Sequence, residues 1–295
     1  MSNPEDRYQN LSLGLTIALA EIILMVGISV LVKMISSDLS TLTVLLFRYT
    51  FCLPLLVVTA IVQRGRQALV VTRFKALIMR IVAGLGSLSC FYAALDLMSL
   101  AKVTALLQMI TLFITFLAPF MLGEQVGKRR WLAVLIGFGG AIILLNPGSS
   151  EWSFAGVIFG LGAPFCGAIM MIMLRKLGQS DSPASTAIWY NTAGAILFAT
   201  LFLWQGSLIP DTSFDLMVLI MVGVLSSFQQ YFIAFSHRLA PASFLAPFRY
   251  LSVPVGIAAG VVFFDERITS VVLLGSAVIV LSSTFILWRE KKAPV

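Results

Sequence analysis

The chain has 295 residues, of which 59% are hydrophobic and only 11% are charged, and its mean hydropathy is +0.99. A soluble domain carries about 25% charged residues, so this composition excludes a water-soluble globular protein and predicts one that uses lipid as its solvent. The net charge of +7 does not indicate nucleic-acid binding, because the basic residues fall in short loops between apolar runs.

Ten apolar runs follow one another along the chain, and crossing a bilayer as a helix takes about 20 such residues. In chain order they are Leu11–Met34, Leu42–Val62, Phe74–Leu97, Val103–Leu122, Trp131–Leu145, Phe154–Leu174, Ala184–Leu203, Leu216–Phe235, Ser243–Phe264 and Ile268–Trp288. The first run continues past Glu21 and is longer than the apolar region of a cleaved signal peptide, so we expect it to be retained. A chain in lipid must satisfy its own backbone hydrogen bonds, and these runs are too uniformly apolar for barrel strands. The pattern therefore predicts ten transmembrane helices.

Lysine and arginine are distributed unevenly between the two sides of the predicted helices. With a cytoplasmic N-terminus, fourteen of the 20 basic residues fall on the cytoplasmic side, and only Lys33, Lys102 and Arg267 fall on the outer side. The positive-inside rule therefore predicts that both termini are cytoplasmic, which requires an even number of spans.

The second half of the chain resembles the first at fixed offsets, which is evidence independent of hydropathy. Pairs 142 positions apart include Gly14 with Gly156, Lys33 with Arg175, Ser40 with Ser182, Thr50 with Thr192 and Glu124 with Glu266. Pairs 139 positions apart include Gly84 with Gly223, Ser87 with Ser226, and Tyr92 with Tyr231. Each half holds five predicted helices, an odd number, so the second half must enter the membrane inverted. Inverted repeats allow two bundles to rock about a central site.

The predicted fold is therefore an all-α membrane protein with ten transmembrane helices, arranged as two inverted five-helix repeats around a central cavity. Residues 1–10 form a cytoplasmic tail and residues 11–146 the first repeat. Residues 153–288 form the inverted second repeat, and residues 289–295 a second cytoplasmic tail.

Two segments of the chain, 101–145 and 240–287, resemble the EamA domain. That domain has an apolar helix, a Gly-Glu or Asp-Glu turn and then a glycine-containing helix. The turns here are Leu122-Gly123-Glu124 and Phe264-Asp265-Glu266, and the second has Asp265 where glycine is usual. Phe47-Arg48-Tyr49 is also similar to an aromatic-Arg-aromatic feature of bacterial members.

Two tandem EamA domains define the drug/metabolite transporter superfamily, so the resemblance implies a ten-helix carrier of the inner membrane. It also implies a central cavity lined mainly by the first, third, fourth, sixth, eighth and ninth helices. Members are similar to exporters of amino acids and to carriers of S-adenosylmethionine, riboflavin and other metabolites. The function implied is secondary transport of a small organic metabolite by alternating access.

Ionisable groups at membrane depth cost about 2.5–3.5 kcal/mol each on insertion scales, so each is a candidate functional residue. Glu21 lies midway along the first predicted helix. It can couple protons or supply a counter-charge for a cationic substrate group. The alternative is a structural ion pair with Arg48 or Arg249. The sequence leaves these alternatives open.

Three arginines lie within the predicted spans at different depths. Arg48 is nearer the outer face, and we interpret it as a structural residue that snorkels or forms an ion pair between helices. Arg80 is close enough to the inner face to snorkel as well. Arg249 follows Pro247 beside Tyr250, where a cation next to aromatic rings can hold a substrate carboxylate or form a buried ion pair.

Uncharged side chains that can hydrogen-bond a solute lie on the helices that the resemblance places around the cavity. The alternative for each is a hydrogen bond between helices, worth about 0.6 kcal/mol. Gln229 and Gln230 point in different directions on one helix, so only one is expected to face the cavity, and Asn191 is interpreted as a packing contact. The predicted substrate-binding residues are Glu21, Tyr92, Gln108, Gln229, Tyr231, Arg249 and Tyr250.

Two other functions are considered. A channel-like facilitator is disfavoured because the scattered polar residues form no ring of filter groups. An intramembrane enzyme would need clustered nucleophiles, acids or metal ligands, and the sole histidine, His237, lies at a helix end. The odd set of three cysteines, without metal-ligand spacing, and the lack of a nucleotide-binding loop predict no metal and no cofactor. The expected partners are a small-molecule substrate and the bilayer, with a coupled proton if Glu21 titrates, in a monomer or homodimer without nucleic acid.

Overall fold

The computed structural model describes residues 10–36, 39–65, 69–123, 125–147, 153–178, 180–205, 210, 212–240 and 242–292. Every regular element in these ranges is a helix. The first part of the chain forms α1 (Leu11–Ile35), α2 (Thr41–Arg64), α3 (Phe74–Leu97), α4 (Leu100–Leu107), α5 (Ile110–Leu122) and α6 (Lys128–Leu145). The second part forms α7 (Phe154–Leu177), α8 (Pro183–Gln205), α9 (Ser213–Leu239), α10 (Ala242–Leu245), a 3₁₀ helix (Ala246–Leu251), α11 (Ser252–Phe264) and α12 (Ser270–Lys292).

Within the described ranges, eight segments are long and apolar enough to cross a membrane: α1, α2, α3, α4 together with α5, α7, α8, α9 and α12. Their outer surfaces carry exposed apolar side chains, such as Val62 at 80%, Leu203 at 80% and Phe120 at 73% exposure. Because apolar area in water costs about 25 cal/mol per Å², these faces contact lipid. The chain is therefore a multi-pass membrane protein. The other two predicted runs correspond to α6 and to a shorter apolar helix, Phe248–Phe264.

Two of the predicted runs contain a break in α-helical geometry. Between α4 and α5 the Gln108 N–H donates to the Ala105 carbonyl and the Met109 N–H to the Leu106 carbonyl, which is 3₁₀ geometry. In the second part of the chain, a six-residue 3₁₀ helix with a proline near its start separates α10 from α11. The fourth run, Val103–Leu122, is therefore built from two helices, and the ninth run, Ser243–Phe264, is broken around Pro247, as a proline inside a helix predicts.

The turns that end α5 and α11 share one backbone conformation. Gly123 has a φ of 68° and Asp265 a φ of 51°, and both are left-handed. Aspartate tolerates this region because its short polar side chain bonds locally. The replacement of the usual glycine by Asp265 therefore leaves the turn intact. Glu124, the counterpart of Glu266, lies outside the described residues.

Helices from the two parts of the chain pack in pairs: α1 against α9, α3 against α7, α2 against α8, α4 against α11, and α6 against α12. Small residues bring several of these helices close together. A Cβ added to Gly275 on α12 would lie 2.8 Å from both the backbone N and the Cα of Leu144 on α6. The core is therefore shared between the two parts of the chain.

Polar contacts join the two parts at one end of the bundle. The Glu266 carboxylate accepts the Leu100 N–H at 2.6 Å, at the N-terminus of α4, where the helix dipole favours an anion. The Lys33 ammonium lies 3.5 Å from the same oxygen of Glu266. It also donates to the Leu95 and Met98 carbonyls at the end of α3. We call this set of contacts the Glu266 clamp.

A second group of contacts joins the two parts at the opposite end, before α3 and α8. Asp181 accepts hydrogen bonds from the Thr72 N–H and hydroxyl and from the Arg73 N–H. Burial alone would raise the pKa of the Asp181 carboxyl, but the hydrogen bonds from Thr72, Ser180 and Arg73 lower it below its ordinary value. This Asp181 clamp therefore holds an ionised carboxylate.

The Gly275–Leu144 contact can be tested with Gly275→Ala. The added methyl meets backbone atoms, which cannot move aside as a side-chain tip can, so we expect destabilisation of about 1–3 kcal/mol. Thermal unfolding of the purified protein in detergent measures the effect. Gly139→Ala is the matched control on α6, because nothing lies within 4 Å of the position of its Cβ. Equal midpoints for the two variants would contradict the close approach of α6 and α12.

Candidate functional site

Polar side chains inside the bundle form three groups. The first is the pair Glu21 and Gln229, between α1 and α9. The second, here called the broken-helix cluster, contains Gln108, Thr111, Tyr250, Ser252 and Ser283. The third, here called the Arg48 network, contains Arg48, Tyr49, Cys52, Tyr92, Tyr190, Asn191 and Gln230.

Glu21 is 5% exposed, and one of its carboxylate oxygens accepts a hydrogen bond from Gln229 Nε2 at 3.1 Å. Among the described residues, neither Arg48 nor Arg249 lies within ion-pairing distance of Glu21. The ion pair among those residues joins Lys33 to Glu266, at one end of the bundle. A carboxylate has about four acceptor positions. Glu21 therefore keeps capacity for a proton or for a cationic group of a ligand.

The broken-helix cluster joins the two interrupted helices. Gln108, at the break between α4 and α5, donates to the Ser252 hydroxyl at 2.8 Å, where the 3₁₀ helix meets α11. The Tyr250 hydroxyl lies 3.5 Å from the Thr111 hydroxyl. Both breaks thus place amide and hydroxyl groups between the two parts of the chain. At both breaks the backbone also departs from α-helical geometry.

Arg249 lies in the 3₁₀ helix and is half-buried. Its carbonyl accepts a hydrogen bond from the Ser252 hydroxyl at 2.8 Å. Its guanidinium makes no hydrogen bond or ion pair with the side chains that the structure describes. Because α1 packs against this 3₁₀ helix and against α11, Glu21 and Arg249 lie on neighbouring elements, and the guanidinium can bind an anionic group.

Arg48 is buried, with 6% exposure, but its partners are not carboxylates. Its Nη1 donates to Asn191 Oδ1 at 3.3 Å, and its guanidinium lies 4.6 Å from the centre of the Tyr49 ring. The hydroxyls of Tyr49 and Tyr190 are 2.8 Å apart. The expected structural ion pair of Arg48 therefore does not form within the described residues. An amide and aromatic rings occupy the place where the sequence predicted a carboxylate.

Arg80 also differs from expectation. It is 6% exposed and lies 4.6 Å from the centre of the Tyr190 ring, so it does not snorkel to the surface. Sequence reasoning missed Tyr49 and Tyr190 as partners of the two arginines. The offset of 142 was the available signal, because it pairs Arg48 with Tyr190 and Tyr49 with Asn191.

The remaining predicted residues occupy different surroundings. Tyr92 is buried and lies close enough to Arg48 to interact with its charge. Tyr231, its counterpart in the second half, is 36% exposed and stacks on Phe235, so repeat equivalence does not give the two tyrosines equal surroundings. Gln229 and Gln230 do point in different directions, because Gln230 bonds to Asn191. The side chain of His237 lies outside the described residues.

Two surface pockets lie at the ends of helices. One, of about 550 Å³, is lined by residues around the Glu266 clamp, including Lys33, Asp96 and Lys102. The other, of about 400 Å³, lies between α3, α5 and α7. None of the seven predicted substrate-binding residues lines either of these two pockets.

The model of the EamA-like transporter family matches residues 12–146 and again residues 154–288. The chain belongs to the EamA-like transporter family. It is therefore a transporter rather than an enzyme.

Individual relatives of this EamA-like transporter carry more specific names. A riboflavin transporter of Vibrio cholerae is 35% identical over 64% of this chain and 63% of its own length, so the match spans less than two thirds of that protein. A riboflavin transporter of Rhizobium johnstonii is 30% identical over 72% of this chain and 69% of its own. An S-adenosylmethionine uptake transporter of Rickettsia bellii is 25% identical over 98% of both chains.

A solved crystal structure shares the fold. It superposes with a TM-score of 0.65, covers 96% of this chain and 99% of its own, and is 15% identical in sequence.

Proposed function

We propose that this EamA-like transporter is a secondary carrier that moves a small organic metabolite across the cytoplasmic membrane by alternating access. Its ten spans form two inverted five-helix repeats, residues 11–146 and 153–288, with both termini in the cytoplasm. The broken helices and Glu21 form the substrate site between the repeats. Gln108, Gln229, Arg249, Tyr250, Tyr92 and Tyr231 supply the other groups that contact the substrate as the site opens.

The observation that carries this proposal is a reciprocal contact between α2 and α8. The offset of 142 makes Tyr190 the counterpart of Arg48, and Asn191 the counterpart of Tyr49. In the structure Arg48 bonds to Asn191, and Tyr49 bonds to Tyr190. Each residue thus contacts the counterpart of its neighbour. Such reciprocity is characteristic of contacts across a twofold axis, and it supports a pseudo-twofold relation between the repeats.

Two other helix pairs show the same reciprocity. A Cβ on Gly14 would meet Ala240, whereas a Cβ on its counterpart Gly156 would meet Met98, itself 142 positions before Ala240. These contacts lie at the interfaces of α1 with α9 and of α3 with α7, which exchange under the same relation. Inverted repeats arranged in this way are typical of transporters whose halves rock about a midplane site.

The interfaces also differ in a way that supports alternation. The helix α2 packs along α9 more extensively than α3 packs along α8, although these two interfaces are counterparts. A carrier that faces one compartment at a time cannot keep both of these interfaces equally closed. The asymmetry is therefore expected of a carrier held in one of its two conformations.

The substrate that we propose is a polar metabolite of the riboflavin or S-adenosylmethionine class. Relatives with these two names match the chain at 35% and 25% identity. The amide and hydroxyl groups of the broken-helix cluster suit the hydrogen-bonding edges of either molecule. Glu21 and Arg249 favour a substrate with both an ammonium and a carboxylate, as S-adenosylmethionine has and riboflavin lacks.

Uptake into proteoliposomes tests the proposed function. We expect saturable uptake of labelled riboflavin or S-adenosylmethionine, and acceleration of that uptake by unlabelled substrate trapped inside, because counterflow requires a site that alternates between the two faces. Empty liposomes are the control. Uptake that rises linearly with concentration and shows no counterflow would contradict a carrier and indicate a channel.

The role of Glu21 is tested with Glu21→Gln in the same assay. The amide keeps the hydrogen bond with Gln229 but cannot ionise, so we expect transport to continue without its dependence on external pH. Asp215→Asn is the matched control, because Asp215 lies at the start of α9, at a helix end. An unchanged pH profile in Glu21→Gln would remove the proton-coupling role and leave that of a counter-charge.

The role of Arg249 is tested with Arg249→Ala. Loss of a charge-assisted hydrogen bond of about 1.5–3 kcal/mol should raise the KM for S-adenosylmethionine roughly tenfold to a hundredfold. The KM for riboflavin, which has no carboxylate, should change little. Arg267→Ala, in the exposed turn between α11 and α12, is the control. A fall in folded protein equal to the fall in transport would instead assign Arg249 to the structure.

A further inference from the structure

The pocket between α3, α5 and α7 has a composition unlike the polar groups at the centre of the bundle. Its walls are Ala76, Met79, Met121 and Met173, and its two charged residues are Lys75 and Lys176. We call it the lysine groove. Its volume of about 400 Å³ and its apolar walls suit a hydrocarbon chain, while both of its charges are positive and no acidic residue lines it.

The position of the lysine groove explains which molecules can reach it. Phe74 is 66% exposed, Met79 46% and Phe120 73%, so the mouth opens through the apolar perimeter that contacts lipid. The charged end lies at the start of α3 and the end of α7, the same end of the bundle as the Asp181 clamp. A molecule in the groove is therefore positioned like a membrane lipid, with its head at the membrane surface and its tail beside the helices.

The two lysines line the same groove and offer N–H donors to an anionic group. Lys176 Nζ donates to the Met121 carbonyl at 2.9 Å, which fixes it across the end of α5 and leaves two N–H donors. Lys75 is exposed beside it on α3. Basic pockets between transmembrane helices commonly bind anionic lipid headgroups. Methionine side chains adapt to irregular apolar shapes, as a flexible acyl chain requires.

The repeated fold does not require a lysine at either of these two positions. At the equivalent place in the other half of the chain, the offset of 139 matches Lys75 with Phe214, and the offset of 142 matches Lys176 with Met34. The counterpart positions thus hold apolar residues. The positive-inside rule accounts for basic residues in the loops at this end, but it does not account for two lysines that line a groove between helices.

We propose that the lysine groove binds an anionic phospholipid of the inner leaflet, with its phosphate between Lys75 and Lys176 and one acyl chain along the methionines. The bound lipid contacts α3 and α5 from the first half of the chain and α7 from the second. It therefore bridges the two halves of the chain and is expected to stabilise the contact between them. Its binding is independent of which metabolite the protein carries.

The proposal is tested with purified protein in detergent and two probes of equal chain length, phosphatidylglycerol and phosphatidylcholine. Native mass spectrometry measures the lipid retained, and thermal unfolding measures stabilisation. We expect phosphatidylglycerol to be retained preferentially and to raise the unfolding midpoint. Each lysine should contribute about fivefold to its affinity, because one basic residue near an anionic lipid is worth about 1 kcal/mol. Equal retention of the two lipids would overturn the proposal.

Variants locate the site. The double variant Lys75→Gln/Lys176→Gln should lose the preference for phosphatidylglycerol, and Lys75→Gln alone should lose part of it without disturbing the bond between Lys176 and Met121. The double variant Lys128→Gln/Arg129→Gln is the matched control, since it removes the same charge from exposed positions at the start of α6, outside the groove. An equal loss in this control would show that net charge, and not the groove, selects the lipid.

A third experiment distinguishes binding of a lipid from binding of a soluble anion. Inorganic phosphate at millimolar concentration carries the same charged group without an acyl chain. We expect it neither to raise the unfolding midpoint nor to displace phosphatidylglycerol. Stabilisation by phosphate equal to that by the lipid would overturn the assignment to a phospholipid.

Discussion

The contact of α2 with α8 at the centre of the bundle is the interaction on which the rest of the structure depends. A buried guanidinium in a membrane requires compensation, and an ion pair is the usual one. Here Arg48 uses the Asn191 amide and the Tyr49 ring, and the hydrogen bond between Tyr49 and Tyr190 links the same two helices. In each of these hydrogen bonds, one partner comes from the first half of the chain and the other from the second. The helices α2 and α8 must therefore meet at this depth and in this register.

The clamps at the two ends of the bundle also join the first half of the chain to the second. The Glu266 clamp uses a carboxylate from the turn after α11 to cap α4, and the Asp181 clamp uses one from the loop after α7 to hold the segment before α3. Both carboxylates accept backbone N–H groups. A hydrogen bond to a charged group has a net value of about 1.5–3 kcal/mol, so each clamp helps to hold the two parts of the chain together. In the alternating carrier proposed above, energies of this size are small enough for substrate binding to offset.

The central polar groups fall between these clamps. Glu21 has one amide partner, and Arg249 has none among the side chains that the structure describes. Next to them, the two broken helices present hydroxyl and amide groups. A buried polar group with few partners inside the protein keeps capacity for a ligand. The Arg48 network differs because several mutual contacts join α2 to α8, although the Nε of Arg48 has no partner among the described residues. Of its members, only Tyr92 is also proposed to contact the substrate.

The sequence by itself determined where the helices lie, because the requirement for about 20 apolar residues per span acts along the chain and leaves a local pattern. The prediction of Phe74–Leu97 agrees with α3, and most other boundaries agree to within a few residues. The family resemblance was visible for the same reason, since its turns at Gly123 and Asp265 are local. Only the tertiary structure decided the partners of the buried polar residues and the break near Gln108. Those partners lie on other helices, most of them more than a hundred positions away, so helix packing sets their approach and leaves no periodic signal in either segment.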